Sequence, residues 1–236
     1  IQHGHDCFSG CEERRSDHHP PGEAHLVNAM KRIDMNTYPR RDHFAHFCAM
    51  AYPYVGLTAN VDVTNLIRFA KEHGGSTFHA VLWAAAKAAN SIPELRQRIQ
   101  NGQIVEFDHC NAGFTVARED HTFCNCDVET RMSLEAFLVD ARVRQEEAAR
   151  HEGFVNPDED EIGQIFTSCV PWVEFTQVVQ PVPSPGDCNP RIVFGKYIRE
   201  GECIKMPLHI QCNHALVDGY HIAEFFRIFQ QINDEL

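Results

Sequence analysis

Residues 206–221 of this 236-residue chain read MPLHIQCNHALVDGYH, and they join an apolar, strand-like run to an amphipathic helix predicted over residues 219–233. His214 leaves the end of the predicted strand, and Asp218 follows four residues later, directly before Gly219. A histidine in such a turn can act as a general base near neutral pH. Spacing alone fits equally well with a histidine that only packs, while Asp218 caps the helix.

Working outward, helical and strand patterns alternate and predict an α/β domain over residues 38–236. Residues 1–37 contain almost no periodic apolar pattern, so we interpret them as a disordered or non-native N-terminal extension. A metal-binding tail remains open, because this segment carries His3, His5, Cys7 and Cys11. The predicted helices are residues 42–51, 64–73, 77–90, 133–151 and 219–233, and the predicted strands include residues 52–62, 103–108, 113–117, 122–128, 164–182, 191–199 and 204–212.

Composition excludes several classes of protein. The chain has 21 Lys and Arg against 33 Asp and Glu, a formal charge of −12, whereas nucleic-acid binding needs clustered cations. The longest apolar run, residues 80–86, is far too short to span a membrane. No secretory signal is recognisable at the start, so we expect a cytoplasmic protein whose ten cysteines are mostly reduced, although disulfides remain open.

The stretch from Met206 to His221 resembles the catalytic segment of the chloramphenicol acetyltransferase family, MPL-x-IQ-x-HHA-x-x-DG-[FY]-H. Four further motifs of that family occur upstream in the same order, and together they cover roughly 200 residues. They are Pro39–Arg40–Arg41–Asp42–His43–Phe44, Pro93–Glu94–Leu95–Arg96, Ser168–Cys169–Val170–Pro171–Trp172–Val173–Glu174–Phe175 and Gly195–Lys196–Tyr197.

The resemblance implies a mixed β-sheet flanked by helices, in a homotrimer whose active sites lie at subunit interfaces. It implies acetyl transfer from the co-substrate acetyl-CoA to a hydroxyl of chloramphenicol or a similar small acceptor. His214 matches the family's general base, and Ser168 matches its hydroxyl donor to the oxyanion. Asp218 and Arg40 match its structural ion pair.

The resemblance also implies binding residues. Lys196 and Tyr197 match positions near the CoA site, where a lysine could meet a phosphate and a tyrosine could stack on adenine, although a plain strand-surface pair fits as well. Phe47 and Phe123 match aromatic positions of the acceptor pocket. No metal ligand is implied, and we expect none.

Three positions depart from the family pattern. Asn213 replaces the first of its paired histidines, which leaves the base itself in place. Val193 replaces a threonine and lacks its hydroxyl, which predicts slower turnover or a different polar arrangement. Gln180 replaces an apolar residue, which leaves open an acceptor more polar than chloramphenicol.

Several alternatives remain open on sequence grounds. Dihydrolipoyl acyltransferases use a similar His motif but normally carry lipoyl domains, and peptide-synthetase condensation domains are about twice as long. A Cys212 nucleophile would predict ping-pong kinetics. The chain could also be a non-catalytic paralogue that binds a small molecule or a metal, for which His121, Cys124 and Cys126 are candidate ligands.

Overall fold

The computed structural model describes residues 29–150, 161–183 and 186–236. Its elements alternate between strands and helices along the chain, as the sequence pattern predicts. The helices are α1 (Arg41–Cys48), α2 (Thr64–Glu72), α3 (Thr77–Asn90), α4 (Leu134–Arg150) and α5 (Gly219–Asp234). The strands are β1 (Met30–Arg32), β2 (Tyr54–Asp62), β3 (Gln97–Gln100), β4 (Gln103–Phe107), β5 (Asn111–Ala117), β6 (Phe123–Val128), β7 (Gln164–Cys169), β8 (Arg191–Phe194), β9 (Ile198–Glu200) and β10 (Cys203–Asn213).

The strands form two sheets. The large sheet has the order β2-β10-β8-β7-β5-β6, and β9 pairs with β10 beside this path. Strand β7 runs parallel to both β5 and β8, whereas the other pairs of the large sheet are antiparallel. Strands β1, β4 and β3 form a small antiparallel sheet. The predicted fold class, a mixed sheet flanked by helices, is therefore confirmed.

The helices bury one face of the large sheet. Helix α3 is apolar on most sides, which predicts a buried helix, and most of its residues are buried. Its Phe78 contacts Phe114 of β5 and Phe194 of β8, with ring centroids 5.3 and 5.5 Å apart. Phe114 and Phe194 are buried, and each stabilises the fold by about 2–3 kcal/mol. None of the helices in the described residues is both long and apolar enough to cross a membrane.

Strand β1 lies within residues 1–37, which the sequence pattern predicts to be an N-terminal extension. Met30 pairs with Phe107 of β4, and the Ile33 amide donates to the Ile104 carbonyl at 2.9 Å. Residues 29–37 therefore form part of the folded domain. The rest of that prediction, residues 1–28 with their His and Cys cluster, lies outside the described residues.

Two predicted strands are shorter than expected. The β-rich run 164–182 is a strand only as far as Cys169, and residues 170–183 are irregular. Pro171, Pro181 and Pro183 lack the amide hydrogen that a ladder requires. The predicted strand 191–199 is interrupted after Phe194, where the Gly195 amide donates to the Pro207 carbonyl at 2.9 Å.

Candidate active site

His214 sits on a tightly bonded turn between β10 and α5. Its backbone amide donates to the Pro53 carbonyl at 2.7 Å. Asn213 accepts three further hydrogen bonds from this turn. Its side-chain oxygen accepts the Ala215 amide at 3.0 Å, and its carbonyl oxygen accepts the Leu216 and Val217 amides, both at 3.1 Å. The backbone on both sides of the histidine is therefore fixed before any ligand arrives.

The imidazole of His214 is held in one tautomer. Its Nδ1 atom lies 2.8 Å from the Val217 carbonyl oxygen, and a carbonyl can only accept, so Nδ1 carries the hydrogen. The lone pair of the neutral ring is then on Nε2. The ring of Phe47, on α1, stacks on the imidazole with centroids 3.9 Å apart and planes 15° apart. This arrangement leaves Nε2 as the atom that can accept a proton.

Asp218 joins the start of α5 to the start of α1. Its carboxylate forms an ion pair with Arg40, the residue before α1, and accepts the Tyr220 amide at 3.0 Å. Burial alone would raise the pKa of Asp218, but the hydrogen bond and positive charge of Arg40 outweigh it and hold the pKa below its usual value. The structure thus brings together His214, Phe47, Asp218 and Arg40.

Sequence reasoning missed a second bond at this helix start. The His221 Nδ1 atom accepts the Asp218 amide at 3.1 Å, which completes a capping box. Its other ring nitrogen therefore carries the hydrogen and lies 3.6 Å from the Glu94 carboxylate. The hydrogen bond from His221 lowers the pKa of Glu94. The helix-capping position of His221, three residues after Asp218, is the signal that could have found it.

Ser168 lies in a transverse row on the sheet face away from α3. Its lateral neighbour on β8 is Val193, followed by His209 on β10 and Thr58 on β2. On its other side, the Thr115 hydroxyl oxygen of β5 lies 3.4 Å from the Ser168 hydroxyl oxygen. Residues at the same lateral position point to the same face of a sheet. The row therefore places hydroxyl and imidazole groups side by side.

Within one chain, Ser168 and His214 are far apart. Ser168 is level with His209 but two strands away from it, and His209 is five residues before His214 along the chain, so about 20 Å separates Ser168 from His214. Phe123 starts β6 at the opposite edge of the sheet, four strands from β10, and is 44% exposed. The chain alone does not bring Ser168 or Phe123 to His214.

Lys196 and Tyr197 follow β8 on the irregular link to β9. Lys196 has an exposed side chain, and its amide donates to the Val173 carbonyl at 3.1 Å. Tyr197 is half-buried, packs against the core and forms a hydrogen bond with the Thr77 side chain. Burial raises the pKa of Tyr197 to about 12. Lys196 is therefore free to meet an anion, whereas the Tyr197 hydroxyl is already engaged.

The structure bears on two alternative functions, a Cys212 nucleophile and a metal site that includes Cys124 and Cys126. Cys212 is 2% exposed, and burial raises its pKa to about 12, which disfavours the thiolate that a nucleophile requires. Cys124 and Cys126 are buried on β6, and the Cys124 thiol donates to the Ala148 carbonyl at 3.3 Å. Among residues 29–150, 161–183 and 186–236, no group of three or more His, Cys, Asp or Glu side chains could hold a metal ion. All eight cysteines in these ranges are free.

Known proteins share both the sequence pattern and the fold. The model of the chloramphenicol acetyltransferase family matches residues 28–230. A chloramphenicol acetyltransferase from Clostridium perfringens is 30% identical over 209 residues, 86% of this chain and 97% of the relative. One from Proteus mirabilis is 27% identical over 207 residues, 86% of this chain and 94% of the relative.

A solved structure agrees. A chloramphenicol acetyltransferase superimposes with a TM-score of 0.78 at 25% identity, covering 86% of this chain and 99% of the other. The fold, the order of the motifs and the family model therefore all indicate the same family. The chain belongs to the chloramphenicol acetyltransferase family and is an acyltransferase of the chloramphenicol O-acetyltransferase type.

Proposed function

We propose that the protein transfers an acetyl group directly from acetyl-CoA to a hydroxyl of chloramphenicol or a similar small molecule, with His214 as the general base. The observation that carries this proposal is the 2.8 Å bond from His214 Nδ1 to the Val217 carbonyl. An alcohol is a weak nucleophile at neutral pH, and a base that removes its proton during attack accelerates the reaction about 10²–10⁴-fold.

The proposed reaction has two steps. The acceptor oxygen attacks the thioester carbonyl carbon while Nε2 of His214 takes the hydroxyl proton, which gives a tetrahedral oxyanion and an imidazolium. The C–S bond then breaks, the carbonyl reforms, and the proton passes from Nε2 to the CoA sulfur. The histidine ends neutral, so direct transfer needs no covalent enzyme intermediate. The high pKa of Cys212 supports direct transfer over a thiol nucleophile.

Ser168 is proposed to donate a hydrogen bond to the oxyanion. The hydroxyl of Thr115 lies beside it and can accept or donate in turn, which gives Ser168 a neighbour that can orient its hydrogen. One donor of this kind contributes about 3 kcal/mol to transition-state stabilisation. Val193, next in the row, offers no hydroxyl, which supports the expectation of slower turnover.

A second copy of the chain is proposed to complete the site. The separation of about 20 Å between Ser168 and His214 is too long for both to act on one carbonyl group within a single chain. Trp172, Val173 and Val179 are 75%, 49% and 77% exposed, and a neighbouring copy packed on residues 170–183 would bury these apolar side chains. The proposal is a homotrimer in which His214 of one copy meets Ser168 and Phe123 of the next.

Two further parts of the proposal concern acetyl-CoA. Lys196 has the free ammonium that a CoA phosphate would need, and Tyr197 offers a ring rather than its engaged hydroxyl.

A cytoplasmic location is also part of the proposal, supported by the eight free cysteines of the described residues and by the need for acetyl-CoA.

The direct test is CoA release from acetyl-CoA with chloramphenicol, comparing the wild type, His214→Ala and the control His73→Ala. We expect turnover in the wild type and the control and a loss of about 10³-fold or more in His214→Ala. Unchanged turnover in His214→Ala would remove the histidine from the mechanism. CoA release only with another hydroxylated acceptor would keep the mechanism and change the substrate.

The interfacial site has its own test, which mixes two impaired variants. His214→Ala and Ser168→Ala are unfolded together, refolded together and assayed beside each variant alone. If His214 and Ser168 act across an interface, about a quarter of the sites in random mixed oligomers contain both intact residues. Activity should then rise toward a quarter of the wild-type value. No gain over the separate variants would place the whole site within one chain.

A further inference from the structure

One peptide bond links the His214 ring to a second histidine. The Val217 carbonyl oxygen lies 2.8 Å from His214 Nδ1, and the Asp218 amide nitrogen lies 3.1 Å from His221 Nδ1. The carbonyl of Val217 and the amide of Asp218 belong to the same peptide group, which is planar and conjugated. The two imidazole rings are therefore joined through one amide: His214 donates to its oxygen, and His221 accepts from its nitrogen.

This series of contacts ends at a carboxylate. Because Nδ1 of His221 accepts, the hydrogen of the neutral ring is on Nε2, which lies 3.6 Å from Glu94 Oε1. Glu94 belongs to the short 3₁₀ helix Pro93–Arg96, which follows α3. The His221 and Glu94 side chains are 11% and 26% exposed, so water screens their interaction only in part. The contact with His221 is the main reason why the pKa of Glu94 is lowered, and the carboxylate is ionised at neutral pH.

Hydrogen bonds in such a series polarise one another. An amide whose N–H is bonded becomes a stronger acceptor at its oxygen, and each bond in a series strengthens by roughly 10–30%. The negative charge of Glu94 attracts the Nε2 hydrogen of His221, which makes Nδ1 of that ring a better acceptor for the Asp218 amide. The Val217 carbonyl then attracts the Nδ1 hydrogen of His214 more strongly. Electron density on Nε2 of His214 rises, and that atom becomes a stronger base.

Other titratable groups face the His221 ring. The Asp218 Oδ1 atom lies 3.1 Å from its Nδ1 atom, Arg40 is paired with the same carboxylate, and the Tyr220 ring centroid is 5.6 Å away. Tyr38 lies beside Arg40 and is uncharged, because burial raises its pKa. A protonated His221 would donate from Nδ1 to the Asp218 carboxylate and leave the Asp218 amide without its acceptor. The series therefore requires the neutral form of His221.

We propose that Glu94 and His221 are positioning residues for the general base. The Glu94 carboxylate acts through the His221 ring and the 217–218 peptide group on His214. It holds the tautomer of His214 and stabilises the imidazolium that forms when Nε2 takes the proton of the acceptor. No proton moves along the series, because each donor keeps its own hydrogen and only the charge distribution changes. The proposal rests on the acetyltransferase function proposed above.

The test removes the charge and the ring separately. Glu94→Gln keeps an oxygen that can accept from His221 but removes the negative charge. His221→Asn places an amide oxygen at the position of Nδ1, so the Asp218 amide keeps an acceptor while the connection to Glu94 is lost. The matched control is Glu135→Gln on α4, which removes a carboxylate 3.1 Å from His73 Nε2. Each variant is assayed by CoA release from acetyl-CoA with chloramphenicol.

We expect kcat to fall about 3–10-fold in Glu94→Gln and in His221→Asn and to stay unchanged in the control. Both KM values and the midpoint of denaturant unfolding should not change. The double variant should lose no more than one single variant, because both residues act through one series. The acid limb of kcat/KM against pH should move to lower pH in Glu94→Gln, because the imidazolium loses a stabilising charge. Full kcat in folded Glu94→Gln, or losses that multiply in the double variant, would overturn the proposal.

A second measurement uses the wild type and needs no turnover. Nuclear magnetic resonance should detect a scalar coupling between the ¹⁵N nuclei of the Asp218 amide and His221 Nδ1, which reports the hydrogen bond between them. No coupling, or a hydrogen on Nδ1 of His221, would overturn the series. Coupling without CoA release by the wild type would uphold the series and reject the transferase proposal. CoA release without coupling would do the reverse.

Discussion

At the scale of single residues, the orientation of the His214 imidazole is set by a backbone carbonyl and a stacked aromatic ring, not by a second catalytic side chain. The Val217 carbonyl sets its tautomer, and the Phe47 ring lies flat on the imidazole at 3.9 Å. Neither of these two contacts with the His214 ring involves a carboxylate. Misplacement of a catalytic group by about 1 Å can reduce a rate about 100-fold, so these contacts are decisive for the proposed chemistry.

Phe47→Ala should lower kcat about 10-fold, because the imidazole loses the surface that holds its plane. Phe47→Tyr keeps the stacked ring and should restore kcat. Steady-state kinetics with chloramphenicol and acetyl-CoA separate two roles of this residue. A fall in kcat at constant acceptor KM identifies a positioning residue, whereas a rise in acceptor KM alone identifies a contact with the acceptor.

The Arg40–Asp218 pair should stabilise the fold in a pH-dependent way. Arg40→Ala should lower the free energy of unfolding by about 2 kcal/mol at pH 7, less than for a fully buried pair because the Asp218 side chain is 32% exposed. The folded pKa of Asp218 is lowered, so this contribution is present above the ordinary pKa and is lost as the pH falls through the folded pKa. Denaturant unfolding at pH 7 and pH 3 measures both differences. If Arg40→Ala lowered the free energy of unfolding by the same amount at pH 7 and at pH 3, the ion pair would not be the source of the pH dependence.

At the scale of elements, the break between β8 and β9 is set by close packing. A Cβ atom at Gly195 would lie 2.5 Å from Pro207 Cγ and 2.7 Å from Phe175 Cε1. Only a glycine lets β8 leave the ladder here, below the Phe175 ring. Gly219 differs, because a Cβ atom there would have no neighbour within 4 Å and its φ is not positive. The turn before α5 therefore does not require a glycine at position 219.

Gly195→Ala should destabilise the protein by about 1–3 kcal/mol, because either Pro207 or Phe175 must move. Gly219→Ala is the matched control and should be neutral or stabilise α5 by up to about 1 kcal/mol. Thermal and denaturant unfolding of both variants measure the comparison. A Gly195→Ala protein as stable as its control would show that segment 170–183 is looser than its packing indicates.

At the scale of the whole molecule, the described residues place irregular chain, rather than a helix, over the face of the large sheet that carries the Ser168 row. Irregular residues 170–183 lie on the side of the Ser168 row and carry the exposed Trp172, Val173 and Val179. Exposed apolar groups of this size in sequence neighbours are typical of an interface. The proposed oligomer would bury them and would bring His214 to the hydroxyl row of another copy.

Trp172→Asp should therefore reduce the oligomer and the turnover together, because a buried charge opposes association. Val139→Asp, on an exposed position of α4, introduces the same charge away from this surface and should change neither. Analytical ultracentrifugation gives the mass of each variant, and CoA release gives its activity. An oligomer that survives Trp172→Asp with full activity would exclude this surface as the interface.

Much of this protein follows from local sequence. The periodicity of α3 and α5, the strand before His214 and the order of the five motifs determined the fold class and the family before any coordinates. These features depend on residue type and short-range spacing, which a single sequence contains. The Arg40–Asp218 ion pair is also present, but its residues are 178 positions apart, and the resemblance to the family rather than local spacing implied it.

The tertiary structure alone decided which distant residues are neighbours. The central parallel strand β7 sets Ser168 beside Val193 and level with His209, and that register keeps it about 20 Å from His214 of the same chain. The close approach of Gly56 on β2 to the His209 ring on β10 is likewise visible only in the tertiary structure. Strand register follows from pairing energies between segments that are far apart in the sequence, such as Asn111 with Gln164 and Tyr54 with Asn213, and no local pattern encodes those energies.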